Sequence, residues 1–153
     1  MPPIVKKTLY ASSQEAEAAF YDAFSRSDLE AMMAVWADDE EIYCVHPGAQ
    51  RIAGMENVRE SWRRVFNSGQ TLSFQLRARH EIHSMMIAVH SVYEQITVAG
   101  QGMSRTPMLA TNIYLRTDHG WRMVAHHASP APAAPAAATA SDAESKRAPN
   151  TLH

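Results

Sequence analysis

Disulfides, long apolar runs and a dominant charge sign are all missing from this chain of 153 residues. Its single cysteine, Cys44, forbids an internal disulfide. It suits a reducing compartment, so a cytoplasmic location is expected. No stretch approaches the ~18 apolar residues of a membrane helix. The start, Met1-Pro2-Pro3-Ile4-Val5-Lys6-Lys7, lacks the apolar core of a secretory leader. Fourteen Lys and Arg stand against sixteen Asp and Glu, a formal net charge of −2. A general nucleic-acid binder needs a basic face, which this balance does not supply. Neither nucleic acid nor a membrane is expected as a partner.

What is present is enough apolar material for one real core: 46% of the residues are hydrophobic and 20% charged. Composition changes at Ser129, where Ser129-Pro130-Ala131-Pro132-Ala133-Ala134-Pro135 opens an Ala/Pro-rich stretch running to His153. Prolines remove backbone donors, and few large apolar residues remain there to offset ordering entropy. The expected organisation is a folded domain over 10–128 and a flexible tail over 129–153.

Three helices are expected early. Ser12-Ser13-Gln14-Glu15 has capping-box spacing, and Ala16, Ala19, Phe20, Ala23 and Phe24 then share a stripe. Ser27-Asp28-Leu29-Glu30 repeats the box before Leu29, Met32, Met33 and Trp36. Gly54 opens a third helix with Met55, Val58, Trp62, Val65 and Phe66 on one face, and Asn67-Ser68-Gly69 ends it. A short strand is expected over 41–46. Four longer ones follow over 72–82, 86–98, 107–117 and 121–128, with strong twist and bulges. Serial strands after helices predict an α+β domain, an antiparallel sheet packed on helices.

The last hairpin sets a register. His119 disfavours the positive φ of a tight two-residue turn, so a three-residue loop with Gly120 left-handed is expected. Thr117 then faces Trp121, Tyr114 faces Val124, and Asn112 faces His126. Asn112, Tyr114, Val124 and His126 share the pocket side. Leu109, Thr111, Ile113, Leu115, Trp121, Met123, Ala125 and His127 share the other.

The run from Phe20 to Pro47 reads Phe-Tyr-x-Ala-Phe-x-x-x-Asp-Leu-Glu-x-Met, then Trp-Ala-Asp-Asp, and ends Val-His-Pro-Gly. It resembles SnoaL-like domains of the nuclear transport factor 2-like superfamily. Thr111 to Ser129, through Asp118-His119-Gly120-Trp121 and His126-His127-Ala128, fits the same branch. With Gly100 to Thr106 before it, that run is also similar to the association domain of calcium/calmodulin-dependent protein kinase type II. The resemblance implies a cone-shaped nuclear transport factor 2-like fold. Three helices pack on a strongly curved antiparallel sheet, enclose a pocket, and leave the outer sheet face for a homodimer. Ile113, Leu115, Trp121 and Met123 are the expected dimer-interface residues.

Function has to be carried over residue by residue. Ketosteroid isomerases resemble the Asp-Leu and Ala-Asp-Asp region, but Cys44 aligns with their carboxylate base and Phe20 with their oxyanion-stabilising tyrosine. A thiol and a phenyl ring replace neither. The kinase association domain has arginines where Tyr93, Asn112 and Ala128 align, so a basic cup does not carry over either. What remains is a neutral polar-aromatic pocket. His126 is the expected proton carrier, oriented by Asn112. Trp62, Tyr93, Tyr114, Val58, His46 and Phe20 are the expected substrate contacts.

The chemistry implied is cofactor-free acid–base work on an apolar, oxygenated small molecule: isomerisation, dehydration or cyclisation. The alternative is a non-catalytic dimerisation or association module, in which Asn112 and His126 are only a structural hydrogen-bond pair. Cys44 and His46, two apart on a strand, point the same way, but no third group is seen to orient a thiolate nucleophile. His80-Glu81-Ile82-His83 lacks the spacing of a helical zinc motif, and no metal is expected. Glu94 points away from Tyr93, either into an interface or, if a bulge shifts the register, as an overlooked acid.

Overall fold

A computed structural model describes residues 8–100 and 106–132. Positions 133–153 of the expected tail, and 101–105 of the stretch likened to the kinase association domain, lie outside the described residues. The element order is α1 (Ser13–Arg26), α2 (Leu29–Val35), β1 (Tyr43–Val45), β2 (Ile52–Ala53), α3 (Met55–Phe66), β3 (Leu72–His83), β4 (Ile87–Val98), β5 (Met108–Thr117) and β6 (Gly120–Pro130). The three expected helices are all present.

Local chemistry sets the helix ends. Ser12 caps α1 by accepting the Glu15 amide at 3.1 Å. The Glu15 carboxylate reaches back to the Ala11 amide at 2.7 Å, one residue beyond the usual box. The second box is displaced. Asp28, not Ser27, caps α2, accepting from the Ala31 amide at 3.0 Å. Ser27 instead closes α1 in the left-handed conformation, with φ 52°. Gly54, at φ 88°, opens α3 as expected.

The six strands run β2-β1-β6-β5-β4-β3 in one open sheet. It is mixed rather than antiparallel, because β1 pairs parallel with β6, placing Cys44 beside His126. The reason is topological: β1 enters after two helices from the far side of the sheet, not through a hairpin. Strand β2, absent from the sequence reading, pairs with β1 through Cys44 and Ile52. Strand β6 continues past the expected boundary to Pro130. Ala131, whose amide donates to Pro107 O at 2.9 Å, is buried as well.

The final hairpin reaches the expected pairing by another route. Thr117 pairs with Gly120, so the loop is the two residues Asp118 and His119. The Thr117 hydroxyl accepts from the His119 amide at 3.1 Å and donates to Gly120 O at 2.7 Å. The extra residue sits in a bulge at Val124 instead, between the Tyr114–Met123 and Ile113–Ala125 pairs. Asn112 therefore still faces His126, while Tyr114 faces Met123. Gly120 is left-handed, at φ 83°, and a Cβ there would lie 2.6 Å from Tyr10 O, so only glycine fits.

That bulge corrects two of the four interface assignments. Met123 is fully buried in the core cluster, and Trp121 packs against that cluster from the same side. Ile113 and Leu115 stay on the outer face, Leu115 being 36% exposed. Val124, expected in the pocket, borders an outer cleft with Leu115.

The core lies between the helices and the inner sheet face. Phe20, Trp36, Val58, Trp62, Tyr114 and Met123 are all inaccessible there. Burying each large side chain contributes about 1.5–3 kcal/mol. No helix among the described residues is long and apolar enough to cross a membrane.

Candidate functional site

One side of α1 carries a polar stripe as well as an apolar one. Ser13, Glu17 and Tyr21 recur every four residues, so they share a face. That face meets His90 and Glu94, whose side chains point inward from β4. All five side chains are buried. Buried polar groups persist only when paired, and here every one is.

The stripe's C-terminal end builds a directed chain of hydrogen bonds. The Tyr21 hydroxyl donates to Glu94 Oε2 at 2.6 Å. Asn112 Nδ2 donates to the Tyr21 hydroxyl at 3.0 Å. Asn112 Oδ1 is then turned to His126 Nδ1, 2.6 Å away. An amide oxygen only accepts, so Nδ1 of His126 carries the proton and Nε2 the lone pair. Each group donates to the next, and the chain ends on the carboxyl group.

The two ends of this chain, Glu94 and His126, both border a pocket of about 180 Å³. Phe24, Phe66, Leu72, Ile96 and Met108 form most of its apolar wall, and His46 borders it too. An apolar cleft with few convergent polar groups is the usual form of a small-molecule site.

Electrostatics separates the two ends. Burial pushes the Glu94 carboxyl up to about 7; the Tyr21 hydrogen bond works against the rise and the Glu17 charge adds to it. Burial drives His126 down to about 3, with His46 and His127 contributing. At neutral pH the imidazole is therefore neutral, and Glu94 is the group poised to gain or lose a proton. Burial raises the Tyr21 hydroxyl well above its ordinary value, and the neighbouring Glu94 charge adds to this. Tyr21 thus stays a donor.

The expected site residues separate into three groups. Asn112 and His126 meet as expected, and His46 and His126 border the pocket. Phe20, Trp62, Val58 and Tyr114 are packed in the core rather than lining the cleft. Phe20 and Trp62 back the His126 ring, at 4.9 and 5.9 Å between centroids. Tyr93 is a correction: it pairs with Leu109 on the outer face, because Glu94 takes the inward position. Glu94, expected either at an interface or as an overlooked acid, is a functional candidate here, and Tyr21 is one that the sequence analysis does not name.

Cys44 is poorly placed for a nucleophile. Its sulfur lies 3.6 Å from His46 Nε2, but the thiol is fully buried. Burial raises its pKa, and the nearby Glu94 charge adds to the rise. His46 instead braces α3 through Ser61 Oγ at 3.1 Å, and burial lowers its pKa.

The stripe's N-terminal end forms a second cluster. His90 Nδ1 lies 2.7 Å from Glu17 Oε2, and His90 Nε2 3.0 Å from Ser13 Oγ. This has the spacing of nucleophile, base and orienting acid. Ser13 is 2% exposed, however, and does not border the pocket described above.

Comparison with known proteins agrees with this architecture. The SnoaL-like domain family matches residues 14–134. A provisionally assigned calcium/calmodulin-dependent protein kinase type II association domain from Thiobacillus denitrificans is 40% identical. The match covers 81% of this chain and 98% of that one, with a TM-score of 0.77. A provisionally assigned dehydratase of the nuclear transport factor 2-like family from Streptomyces avermitilis is 28% identical, over 79% of this chain and 95% of that one, with a TM-score of 0.71. The F-box protein SKIP8 of Arabidopsis thaliana is 25% identical over 127 residues, 80% of this chain; the match spans 52% of that protein's length.

Proposed function

Since this chain belongs to the SnoaL-like domain family, we propose that it binds a small, largely apolar oxygenated molecule and moves a proton on it with Glu94. The observation that carries this reading is a buried carboxyl at the pocket wall with a pKa of about 7. Near neutral pH such a group is half ionised, so it can both take and return a proton.

In this reading ionised Glu94 removes a proton from a carbon beside a carbonyl group. Tyr21, donating at 2.6 Å, holds the carboxylate in place. His126 acts as a fixed hydrogen-bond acceptor: its Nδ1 proton is committed to Asn112, so Nε2 receives a substrate hydroxyl. Asn112 and His126 thus keep a place in the catalytic apparatus, with the proton carried by Glu94. Return of the proton at another position gives isomerisation. Departure of a β-hydroxyl, protonated to water by the Glu94 carboxyl that took the first proton, gives dehydration, the activity provisionally assigned to the Streptomyces relative.

The test is a thermal-shift screen of the full chain against hydroxylated and carbonyl-bearing metabolites. A ligand at 100 times its dissociation constant stabilises the native state by about 2.7 kcal/mol. Hits that vanish in Glu94→Gln or His126→Gln support the reading. Hits that persist unchanged in both variants, or none at all, count against it.

A second reading is an association module, in which the outer sheet face joins two copies in a homodimer. It is favoured by half-exposed Ile113 and Leu115 and by the 40% identity to a provisionally assigned association domain. Sedimentation of Leu115→Asp tests it: a monomer supports the dimer face, and an unchanged dimer refutes it.

A further inference from the structure

The β3–β4 hairpin gathers metal-binding side chains that the pocket does not use. The cause is one extra residue in β3. Arg77 pairs with Tyr93 but His80 pairs with Ser91, so a bulge intervenes, with Ala78 left-handed at φ 50°. Before the bulge, Phe74 and Leu76 share the inner face with Ile96 and Glu94. After it, Glu81 and His83 take that face, opposite His90 and Ala88. Without the extra residue, both would point outward.

We propose that Glu81, His83 and His90, with Glu17 as a fourth donor, bind one divalent transition-metal ion of the zinc type. One ligand atom from each of Glu81, His83 and His90 lies within 4.8 Å of the others. His83 Nε2 is 3.1 Å from Glu81 Oε2. His90 Nδ1 is 2.7 Å from Glu17 Oε2 and 3.9 Å from Glu81 Oε1. Ligands at about 2.0–2.2 Å from tetrahedral zinc sit roughly 3.3–3.6 Å apart. The separations of 2.7, 3.1 and 3.9 Å bracket that range, and His83, whose side chain is 41% exposed, has room to turn. Two imidazoles and two carboxylates favour zinc, copper or nickel over magnesium or calcium.

The surroundings fit a metal site too. In the ion's absence His90 Nδ1 faces the acceptor-only Glu17 carboxylate; with an ion on Nδ1 the ring proton moves to Nε2, where Ser13 Oγ, 3.0 Å away, accepts it. Arg79 holds the other Glu17 oxygen at 3.0 Å and lies 3.9 Å from Glu81 Oε1. Gln14 Nε2 stands 3.0 Å from Glu81 Oε2 and 3.2 Å from His83 Nε2. A ring nitrogen bearing either a proton or a lone pair cannot both accept from Gln14 and donate to Glu81. A cation between the imidazole and the carboxylate removes that conflict.

The experiment is calorimetric titration of the full, chelator-treated chain with Zn2+, with Co2+ absorption as a reporter of coordination. The proposal expects one ion per chain. Binding in His83→Ala and in Glu81→Gln should weaken at least ~10-fold, the lower cost of losing even an outer partner. His119→Ala, on the other hairpin, should leave it unchanged. His83 is at the solvent edge, so the metal-free variant should melt with the wild type; if it does not, Glu81→Gln decides alone. No saturable binding, equal affinity in Glu81→Gln, or a loss that follows His119→Ala would overturn the proposal.

Discussion

Tyr21 on α1 donates its hydroxyl proton to Glu94 on β4 across 2.6 Å, and both side chains are buried. The bond couples the first helix to β4, the strand beside the sheet's edge strand β3. It also holds down the pKa of a carboxyl that burial raises, the only carboxyl among the described residues that borders the pocket with His126. Removing the donor should therefore change both stability and titration. In Tyr21→Phe the carboxylate loses a charge-assisted bond, a cost of about 1.5–3 kcal/mol above the Glu94 midpoint. The Glu94 midpoint should rise beyond 7, since this bond holds it down. Denaturant melts at pH 8 and a carboxyl titration check the two halves; an unmoved midpoint would contradict the bond's role.

The pH dependence of stability has two opposing parts. Glu94 is raised from 4.5 to about 7, so the native state holds a proton that the unfolded chain releases. That contribution, on the order of 3 kcal/mol, is full below pH 4.5 and lost as pH rises to 7. His126 is lowered from 6.5 to about 3, so its contribution is present above 6.5 and lost as pH falls toward 3. Between pH 4.5 and 6.5 the two slopes cancel. Glu94→Gln should expose the His126 slope, a rise of about 1.4 kcal/mol per pH unit. His126→Gln should expose the opposite slope. Urea melts from pH 4 to 8 measure both, and two variants with the same sign of slope would refute the assignment.

Cys44 should be inert. A fully buried thiol with a raised pKa offers almost no thiolate at pH 8. Native protein should react with an aromatic disulfide reagent only as fast as it unfolds. Stoichiometric labelling within seconds would show an accessible, activated cysteine instead.

Met123 and Leu115 should respond differently to truncation, because the Val124 bulge puts them on opposite faces. Met123→Ala opens a cavity in the core and should cost about 2–5 kcal/mol. Leu115→Ala, at a site 36% exposed, should cost well under 1 kcal/mol in the monomer. Equal costs would put the two residues on one face.

Ala78 holds a left-handed conformation, φ 50°, that glycine adopts without the Cβ clash. Ala78→Gly should stabilise the protein by about 1 kcal/mol or less, the relief being partly offset by unfolded-state entropy. A loss above 1 kcal/mol would place the bulge elsewhere.

Much of this fold is legible in the sequence because helix periodicity and caps are local. Ser12, Gly54 and Asn67 mark helix ends directly. The pairing of Asn112 with His126 is legible as well, although for a reason that did not hold. The sequence puts one extra residue in the hairpin loop; it lies four residues further on, in the bulge. Between those two points every face assignment inverts, which is why the sequence puts Met123 outside and Val124 inside.

The candidate site is less legible. Its key carboxyl sits on β4, where simple alternation makes either Tyr93 or Glu94 inward. Alignment with a pocket arginine of the kinase association domain favours Tyr93, while pairing with Tyr21 decides for Glu94. The signal was available: Ser13, Glu17 and Tyr21 form a polar stripe on α1, and buried polar stripes need polar partners four residues apart on a facing strand. His90 and Glu94 have that spacing. The Glu81 and His83 cluster lay beyond reach, because a bulge at Ala78 has no mark in an Arg77-Ala78-Arg79 sequence.

The most direct test of the account is a 13C titration of the Glu94 side-chain carboxyl in the full-length protein, assigned with Glu94→Gln. The account predicts a midpoint near 7, moved upward by Tyr21→Phe. A midpoint near 4.5, unmoved by that substitution, would describe an ordinary solvated carboxylate. It would remove the proton carrier on which the proposed chemistry rests.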